Sequence, residues 1–396
     1  MIPFSGRIPG EDRRAFLIDA LSASYYGLYI GFLLPFVPVL MKRLGADPLQ
    51  MGICLAAPFL ALMLSFPLMP RLSGYKALSI VSIPCLFARP AVALIGVFTD
   101  PWLVLLVYLL NQIVEGVGLS PYTRLLKAIY SDRGRSRAMG FVRSYQAVFQ
   151  IMAAALGGMM IDRGLTFLTF GLSGISGLIS AANFLRVIPP DESPTYSASG
   201  FTPRDIYHTI VDCEPFLWLN ATVMLFGFGN LLVVGVLPTV LVEQFNISNT
   251  SLGVLTCCTN VMLVLCYALL GKFIFRYGPQ RGMLLALTAG MLVPWLILLA
   301  PRTEFLAVPY LFIGIMNAGF DLSWLLCIIA FVPAELIGTY AVVYTLLIGL
   351  RGFIATMVSN LALPVIGSST FLLIAGVFTT SGVLVGVLKR HRWRAQ

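Results

Sequence analysis

Residues 102–124 read WLVLLVYLLNQIVEGVGLSPYTR, an apolar run with a few polar side chains that is long enough to cross a bilayer as one helix. An α-helix rises about 1.5 Å per residue, so about 20 mainly apolar residues cover the hydrocarbon core. Similar runs fill most of the chain, at 15–40, 48–69, 77–98, 138–161, 165–188, 213–242, 250–275, 282–300, 306–330, 334–363 and 369–388. The sequence therefore predicts an all-α membrane protein with twelve transmembrane helices.

The composition and the charge distribution both indicate an integral membrane protein. Of the 396 residues, 58% are hydrophobic and 11% are charged, whereas about 25% of the residues of a typical soluble domain are charged. The net charge is +9, but most of the 26 Lys and Arg residues lie at the N-terminus, in even-numbered loops or in the tail. Because basic loops mark the cytoplasmic side, we expect both termini in the cytoplasm, a bacterial inner (plasma) membrane location and no nucleic-acid partner.

The two halves of the chain resemble each other. Residues 44–52 precede the second span and residues 245–253 precede the eighth, with an offset of 253 − 52 = 201. Tyr108 in the fourth span and Tyr310 in the tenth span give an offset of 310 − 108 = 202. Internal duplication is typical of secondary transporters. We expect three parts, namely a six-helix bundle over 1–188, a polar cytoplasmic linker over 189–212 and a second six-helix bundle over 213–396.

Three predicted cytoplasmic loops carry basic motifs. The loop Gly271 to Arg281 reads GKFIFRYGPQR, and the loop Pro70 to Lys76 is a shorter and more degraded copy. Residues 131–140 form an Arg-rich entry into the fifth span. Together with the twelve-helix topology, these motifs make the chain resemble the major facilitator superfamily over essentially its whole length. One departure from the family's loop pattern is Phe275, which stands where the family has an acidic residue.

The resemblance implies two six-helix bundles around a central cavity, with helices 1, 4, 7 and 10 beside the path of the substrate. Two features of the superfamily's proton-coupled drug antiporters are missing from this sequence. Gln112 stands where those proteins carry an intramembrane Arg, and Ala155-Leu156-Gly157-Gly158 stands where they carry a Gly-Pro pair. Both departures disfavour a drug antiporter without identifying another subfamily.

The fourth span carries four polar residues on one face. Tyr108, Asn111, Gln112 and Glu115 lie at i, i+3, i+4 and i+7. Four polar groups in register avoid lipid, so they line either a cavity or an interface between helices. The family resemblance favours a cavity, where these residues would contact substrate or a coupling ion. The alternative is a packing network whose interhelical hydrogen bonds stabilise by only about 1 kcal/mol each.

Ionisable groups in other spans add candidates for substrate contact or coupling, because an isolated charge costs roughly 2.5–3.5 kcal/mol at the centre of a spanning helix. Asp19 is either a coupling carboxylate or one that water or a neighbouring Arg stabilises. Asp321 is either a coupling carboxylate or the ion-pair partner of Arg351. Arg89 precedes Pro90, so we expect it at a kink where it meets a carboxylate.

Amide and aromatic side chains complete the predicted site. The amides would make polar contacts with a ligand, and the tyrosine rings would stack on it. These residues are Gln146, Gln150 and Asn317, followed by Tyr26, Tyr340 and Tyr344.

The sequence thus predicts a secondary active transporter that moves a small organic solute, as a monomer in the lipid bilayer, with a proton or another ion as an optional coupling partner. We expect no enzymatic activity, cofactor or metal site, because no Gly-rich phosphate loop and no metal-ligand spacing is present. Two alternatives stay open. One is proton-coupled multidrug efflux, and the other is a transporter-like sensor or assembly factor whose cavity large apolar side chains would fill.

Overall fold

A computed structural model describes residues 9–10, 12–72, 74–187, 208–332 and 336–393. Within these ranges the regular structure is entirely helical, and twelve helices are long and apolar enough to span a membrane. The predicted all-α fold and the predicted twelve spanning helices are therefore confirmed. Residues 189–207 of the expected linker lie outside the described ranges. The twelve helices are α1 (Arg13–Leu33), α2 (Pro48–Leu68), α3 (Ala77–Ala91), α4 (Pro101–Ile129), α5 (Asp132–Asp162), α6 (Thr166–Phe184), α7 (Glu214–Thr239), α8 (Asn249–Tyr277), α9 (Pro279–Leu298), α10 (Ala307–Phe331), α11 (Ile337–Ile366) and α12 (Ser368–Leu388).

The helices depart from the expected spans at prolines and at their ends. The first span is interrupted at Pro35, after which a short helix, Phe36–Arg43, continues it. Proline has no backbone N–H to donate to the preceding turn, which explains the interruption. Other short elements flank the long helices, namely the 3-10 helices Met69–Leu72, Val92–Gly96, Thr303–Leu306 and Arg390–Trp393 and the π-helical turn Val240–Gln244.

The chain divides into two compact units. The first comprises 1–46, 61–199 and 248–257, and the second comprises 47–60, 200–247 and 258–396. In the first unit α1 packs against α5 and α6, and α3 packs against α4 and α6. In the second unit α7 packs against α11 and α12, and α9 packs against α10 and α12. The helix pairs of the second unit therefore repeat those of the first unit in the same order.

The starts of α2 and α8 share a capping arrangement. Asp47 Oδ1 accepts from the Gln50 N–H (2.7 Å), and Gln50 Oε1 accepts from the Asp47 N–H (2.8 Å). At the other helix, Ser248 Oγ accepts from the Ser251 N–H (3.0 Å). The offsets, 248 − 47 = 201 and 251 − 50 = 201, equal the offset between the similar sequence segments. That similarity therefore corresponds to a common N-cap, which satisfies backbone N–H groups at the helix start.

Helices α1 and α5 approach each other closely at two glycines of α1. A Cβ atom at Gly27 would overlap the backbone carbonyl of Gln146, and one at Gly31 would lie 2.6 Å from the backbone carbonyl oxygen of Gln150. Small residues spaced by four allow spanning helices to pack backbone to backbone. This contact holds α5 against α1 and so positions the residues of both helices that face the first unit's interior.

We predict that Gly27→Ala lowers the melting temperature of the purified protein in detergent, because overpacking a close contact costs about 1–3 kcal/mol. The matched control is Gly171→Ala in α6, where an added Cβ would meet no atom within 4 Å. Since Ala is the better helix former, the control should equal or exceed the wild type. Equal losses in both variants would contradict the close approach of α1 and α5.

Candidate functional site

A cavity of about 160 Å³ lies within the first unit, between α1, α3, α4, α5 and α6. It is lined by two carboxylates, two guanidinium groups, hydroxyl groups and aromatic rings, so its formal charges balance. The lining residues are Asp19, Ser22, Ala23, Tyr26, Val81, Ser82, Cys85, Arg89, Glu115, Gly118, Leu119, Tyr122, Arg143, Gln146, Ser180, Ala181 and Phe184. A chamber of this polarity between spanning helices suits a polar ligand rather than a lipid chain.

The central feature of the cavity wall is an ion pair between Arg89 of α3 and Glu115 of α4. Arg89 Nε lies 2.7 Å from Glu115 Oε1, and Arg89 Nη2 lies 3.2 Å from Glu115 Oε2. The side chains are 10% and 20% exposed, respectively. Two parallel charge-assisted hydrogen bonds form the strongest geometry available to this pair. Mutual neutralisation explains how two charged groups persist inside spanning helices.

Aromatic and small residues hold the Arg89 guanidinium in place. Its central carbon lies 4.9 Å from the centroid of the Tyr26 ring and 5.4 Å from that of Tyr29. Its Nη1 donates to Ser180 Oγ (3.2 Å). On α6, Gly177 leaves room for the arginine, because a Cβ there would lie 2.7 Å from Arg89 Cβ. The cation is therefore enclosed from α1 and α6 as well as paired from α4.

The local backbone explains where Arg89 points. It lies at the end of α3, immediately before Pro90, and the chain tightens into the 3-10 helix Val92–Gly96. The expectation that Arg89 meets a carboxylate at an irregular helix is thus met. Arg89 was predicted to meet a carboxylate at a kink, and in the structure it also lies on the cavity wall.

Asp19 lines the cavity from α1 and is buried. Its Oδ2 accepts a hydrogen bond from the Tyr130 hydroxyl (2.8 Å). Among the described residues Asp19 forms no ion pair, so its hydrogen-bond partner is a phenol and not a neighbouring arginine. Tyr130 follows the end of α4, where burial, and then the Asp19 charge, raise its pKa well above the usual range. Tyr130 therefore stays protonated and can donate to Asp19.

The polar face of α4 divides between two environments. Glu115 reaches the cavity, whereas Asn111 and Gln112 are buried and are absent from its lining. Asn111 Oδ1 accepts from the Tyr29 hydroxyl (2.6 Å), and Asn111 Nδ2 donates to a backbone carbonyl of α3 (3.3 Å). Gln112 Nε2 donates to the Tyr108 hydroxyl (3.3 Å). Glu115 therefore faces the cavity, as the first interpretation of this face predicts. Asn111 and Gln112 belong to a hydrogen-bonded packing network between helices, as the alternative predicts.

Helix α5 contributes one of its two predicted amides to the cavity. Gln146 lines the wall, and its Oε1 accepts from Nη1 of Arg143 (2.9 Å), which also lines it. Gln150 is half-buried and is absent from the lining. Its backbone instead packs against Gly31.

The ion pair between Asp321 and Arg351, which was one of two alternatives for Asp321, does not form among the described residues of the second unit. Asp321 is exposed and accepts from the Tyr267 hydroxyl of α8 (2.8 Å). Arg351 instead crosses to α7, where its Nη1 donates to the Val223 carbonyl. The two side chains diverge because their helices have different neighbours, α8 for Asp321 and α7 for Arg351. Asn317 lies half-buried one turn before Asp321.

Only one of the three predicted stacking tyrosines, Tyr26, lines the cavity. Tyr340 is buried in the second unit, edge-on to Phe216 with ring centroids 4.7 Å apart. Tyr344 stacks on Trp324, with centroids 5.3 Å apart and an angle of 3° between the planes.

Several hydroxyl groups that line the cavity were not predicted from the sequence, including those of Ser82, Ser180 and Tyr122. Ser82 is 1% exposed, and its Oγ has no hydrogen-bond partner. Serine is common in spanning helices, so no pattern in the sequence distinguishes these serines from others. The charged residue beside Pro90 was the one available indication that α3 contributes to the site.

Comparisons with known proteins agree on the fold. The family model of the Major Facilitator Superfamily matches residues 20–356, and no curated protein matches the chain. Among solved structures, the nucleoside transporter NupG has 13% identity and a TM-score of 0.74, covering 94% of this chain and 98% of its own. A POT family transporter in complex with a thioalcohol-conjugated peptide has 10% identity and a TM-score of 0.77, covering 98% and 99%. An inward-facing bacterial homologue of the human lysosomal transporter Spinster has 14% identity and a TM-score of 0.60, covering 96% and 98%.

We predict that Glu115→Ala lowers the free energy of unfolding by about 3–5 kcal/mol, because it leaves a buried guanidinium without its counter-charge. Replacing both partners, as Arg89→Met with Glu115→Leu, should recover much of that loss. Ser180→Ala removes two hydrogen bonds, one accepted from Arg89 and one donated to the Ser22 carbonyl, and should cost about 2 kcal/mol. Chemical denaturation in mixed micelles gives the three values, and a double variant that is less stable than Glu115→Ala would refute the pairing.

Proposed function

We propose that this chain, a membrane transporter of the Major Facilitator Superfamily, moves a small polar organic solute by secondary, alternating-access transport. The observation that carries the proposal is the cavity whose wall contains the Arg89–Glu115 pair. Ionisable residues inside membrane-spanning helices mark substrate and ion pathways when they face a cavity. In this proposal the protein acts as a monomer in the bacterial inner membrane. Both termini lie in the cytoplasm, and the protein has no enzymatic activity.

The chemistry of the wall favours a polar solute over a lipophilic cation. Asp19 and Glu115 are the two cavity carboxylates, and both already have partners in Tyr130 and Arg89. A cation would have to displace one of these partners to find a free negative charge. A solute with hydroxyl, amide or charged groups of both signs could instead exchange hydrogen bonds with the pair and with Ser82. This chemistry disfavours multidrug efflux.

Glu115 is the proposed coupling group. While Glu115 is ionised it holds Arg89, and protonation of Glu115 would release that guanidinium. Because the pair links α3 to α4, its formation and release could alternate with binding. Asp19 with Tyr130 is a second acid on the same wall that could carry a proton.

A transporter-like sensor or assembly factor is the weaker alternative. That class predicts a cavity filled by large apolar side chains, whereas this wall presents charged groups and hydroxyls to an open volume. No observation on the described residues favours it over transport.

The proposal is tested by a solute screen followed by uptake into proteoliposomes. A ligand at 100 times its dissociation constant adds about 2.7 kcal/mol to stability, which a thermal-shift assay detects. Sugars, nucleosides, amino acids, peptides and organic acids are screened at two pH values, and each hit is then measured as labelled solute accumulated under a pH gradient.

We predict that Glu115→Gln abolishes both the thermal shift and the accumulation, while Glu304→Gln, at an exposed position of the 3-10 helix Thr303–Leu306, behaves as the wild type. Circular dichroism establishes that both variants are folded before the comparison is made. Accumulation by folded Glu115→Gln at the wild-type rate would remove the cavity pair from the transport mechanism.

A further inference from the structure

The second unit contains an arginine inside a spanning helix that has no acidic partner among the described residues. Arg351 is half-buried and lies near the middle of the 30-residue helix α11, about 20 Å from either end. Its Nη1 donates to the backbone carbonyl of Val223, and its Nε is buried with no hydrogen-bond partner in the described part of the chain. Throughout the described residues, no carboxylate forms an ion pair with it.

The other arginine inside a spanning helix, Arg89, does have a counter-charge. Arg89 has a bidentate carboxylate, two aromatic rings and a hydroxyl around it. Arg351 has one backbone carbonyl. A buried cation without a counter-charge is unfavourable in an apolar medium. It also cannot snorkel to a headgroup from the middle of so long a helix, so its negative partner has to come from elsewhere.

The groups beside Arg351 are hydrogen-bond donors that await an acceptor. Tyr344 precedes Arg351 by seven residues, which places both on one face of α11. Its hydroxyl is likewise buried, and no described residue forms a hydrogen bond with it. The Tyr344 ring stacks on Trp324 of α10, which fixes the direction of the phenol. Guanidinium groups have no acceptor atoms, and the phenol has a proton to give. An oxyanion is the ligand group that satisfies both.

A glycine of α7 leaves room for the Arg351 guanidinium. A Cβ atom at Gly227 would overlap the Arg351 guanidinium. The glycine therefore leaves room for the guanidinium beside α7, where Nη1 donates to the Val223 carbonyl. A planar guanidinium in this position can offer its remaining N–H donors to a planar or tetrahedral oxyanion.

We propose that Arg351 and Tyr344 bind the carboxylate or phosphate group of an anionic organic solute, which is the substrate that this transporter carries. The inference rests on the proposed transport function and adds the chemical class of the substrate. A phospholipid is not the source of the oxyanion, because its headgroup lies at the membrane surface, about 15 Å from the bilayer centre.

The first test needs no ligand. Arg351→Met should raise the melting temperature of the unliganded protein, because it removes an uncompensated buried cation and keeps the apolar volume. Arg89→Met, the matched control, should lower it, because that change strands Glu115. If Arg351→Met destabilised as much as Arg89→Met, Arg351 would have a partner within the protein and the inference would fall.

The second test uses pairs of probes that differ in charge, namely benzoate with benzamide and phenyl phosphate with phenol, at matched ionic strength. At least one anion should stabilise the wild type, and its neutral counterpart should not. Arg351→Met and Tyr344→Phe should weaken the apparent affinity, by about tenfold or more for the arginine. The better anion distinguishes a carboxylate from a phosphate. No effect of either anion, or equal effects in wild type and Arg351→Met, would overturn the inference.

The tests separate this inference from the transport proposal. A transported solute that binds wild type and Arg351→Met alike, but not Glu115→Gln, refutes the anion site and leaves transport standing. Anion binding that depends on Arg351, in a protein that accumulates no solute in proteoliposomes, supports the anion site and refutes transport.

Discussion

The bidentate pair between Arg89 and Glu115 is the interaction on which the rest of the first unit depends. Neither group is stable alone among apolar helices, so each requires the other within hydrogen-bonding distance. That requirement sets how α3 and α4 face each other. The ring of Tyr26, the missing side chain at Gly177 and the hydroxyl of Ser180 then close around the cation. Because charge is neutralised within the wall, polar groups can border an open cavity without destabilising the helices.

The two membrane-buried arginines illustrate two ways of keeping a cation inside a bilayer. Arg89 is satisfied by the chain itself, so it stabilises the fold and can still exchange partners. Arg351 is held in place by Gly227 and has a backbone carbonyl as its acceptor, with the phenol of Tyr344 beside it. The first arginine has its counter-charge within the chain, whereas the second has none among the described residues. In the proposed function, the Arg89–Glu115 pair serves coupling and Arg351 would bind the anionic group of the solute.

The sequence predicts the helices well because hydrophobic length and cap residues are local properties. The repeated offset near the second and eighth spans even anticipates the shared caps at Asp47 and Ser248. Pairings between distant helices are a different matter. Glu115, for which a cavity position was favoured, lines the cavity. The pair considered between Asp321 and Arg351 does not form among the described residues. The spacing of residues along one helix gives the face that they share, but it does not give the neighbouring helix that this face meets. Asp19 finds Tyr130, 111 residues away, through tertiary packing alone.

If the protein works by alternating access, a position on the cavity wall is open to one side of the membrane and then to the other. Leu119 lines the cavity and is 48% exposed, so Leu119→Cys, in a background without the seven native cysteines, reports on access to the wall. Sealed vesicles are treated with a membrane-impermeant maleimide on one side or the other, with Lys389→Cys in the tail as the one-sided control. We expect Leu119→Cys to react with the maleimide added on either side of the membrane. A transported solute should change the ratio of the two labelling rates. Labelling from a single side under every condition would contradict alternating access.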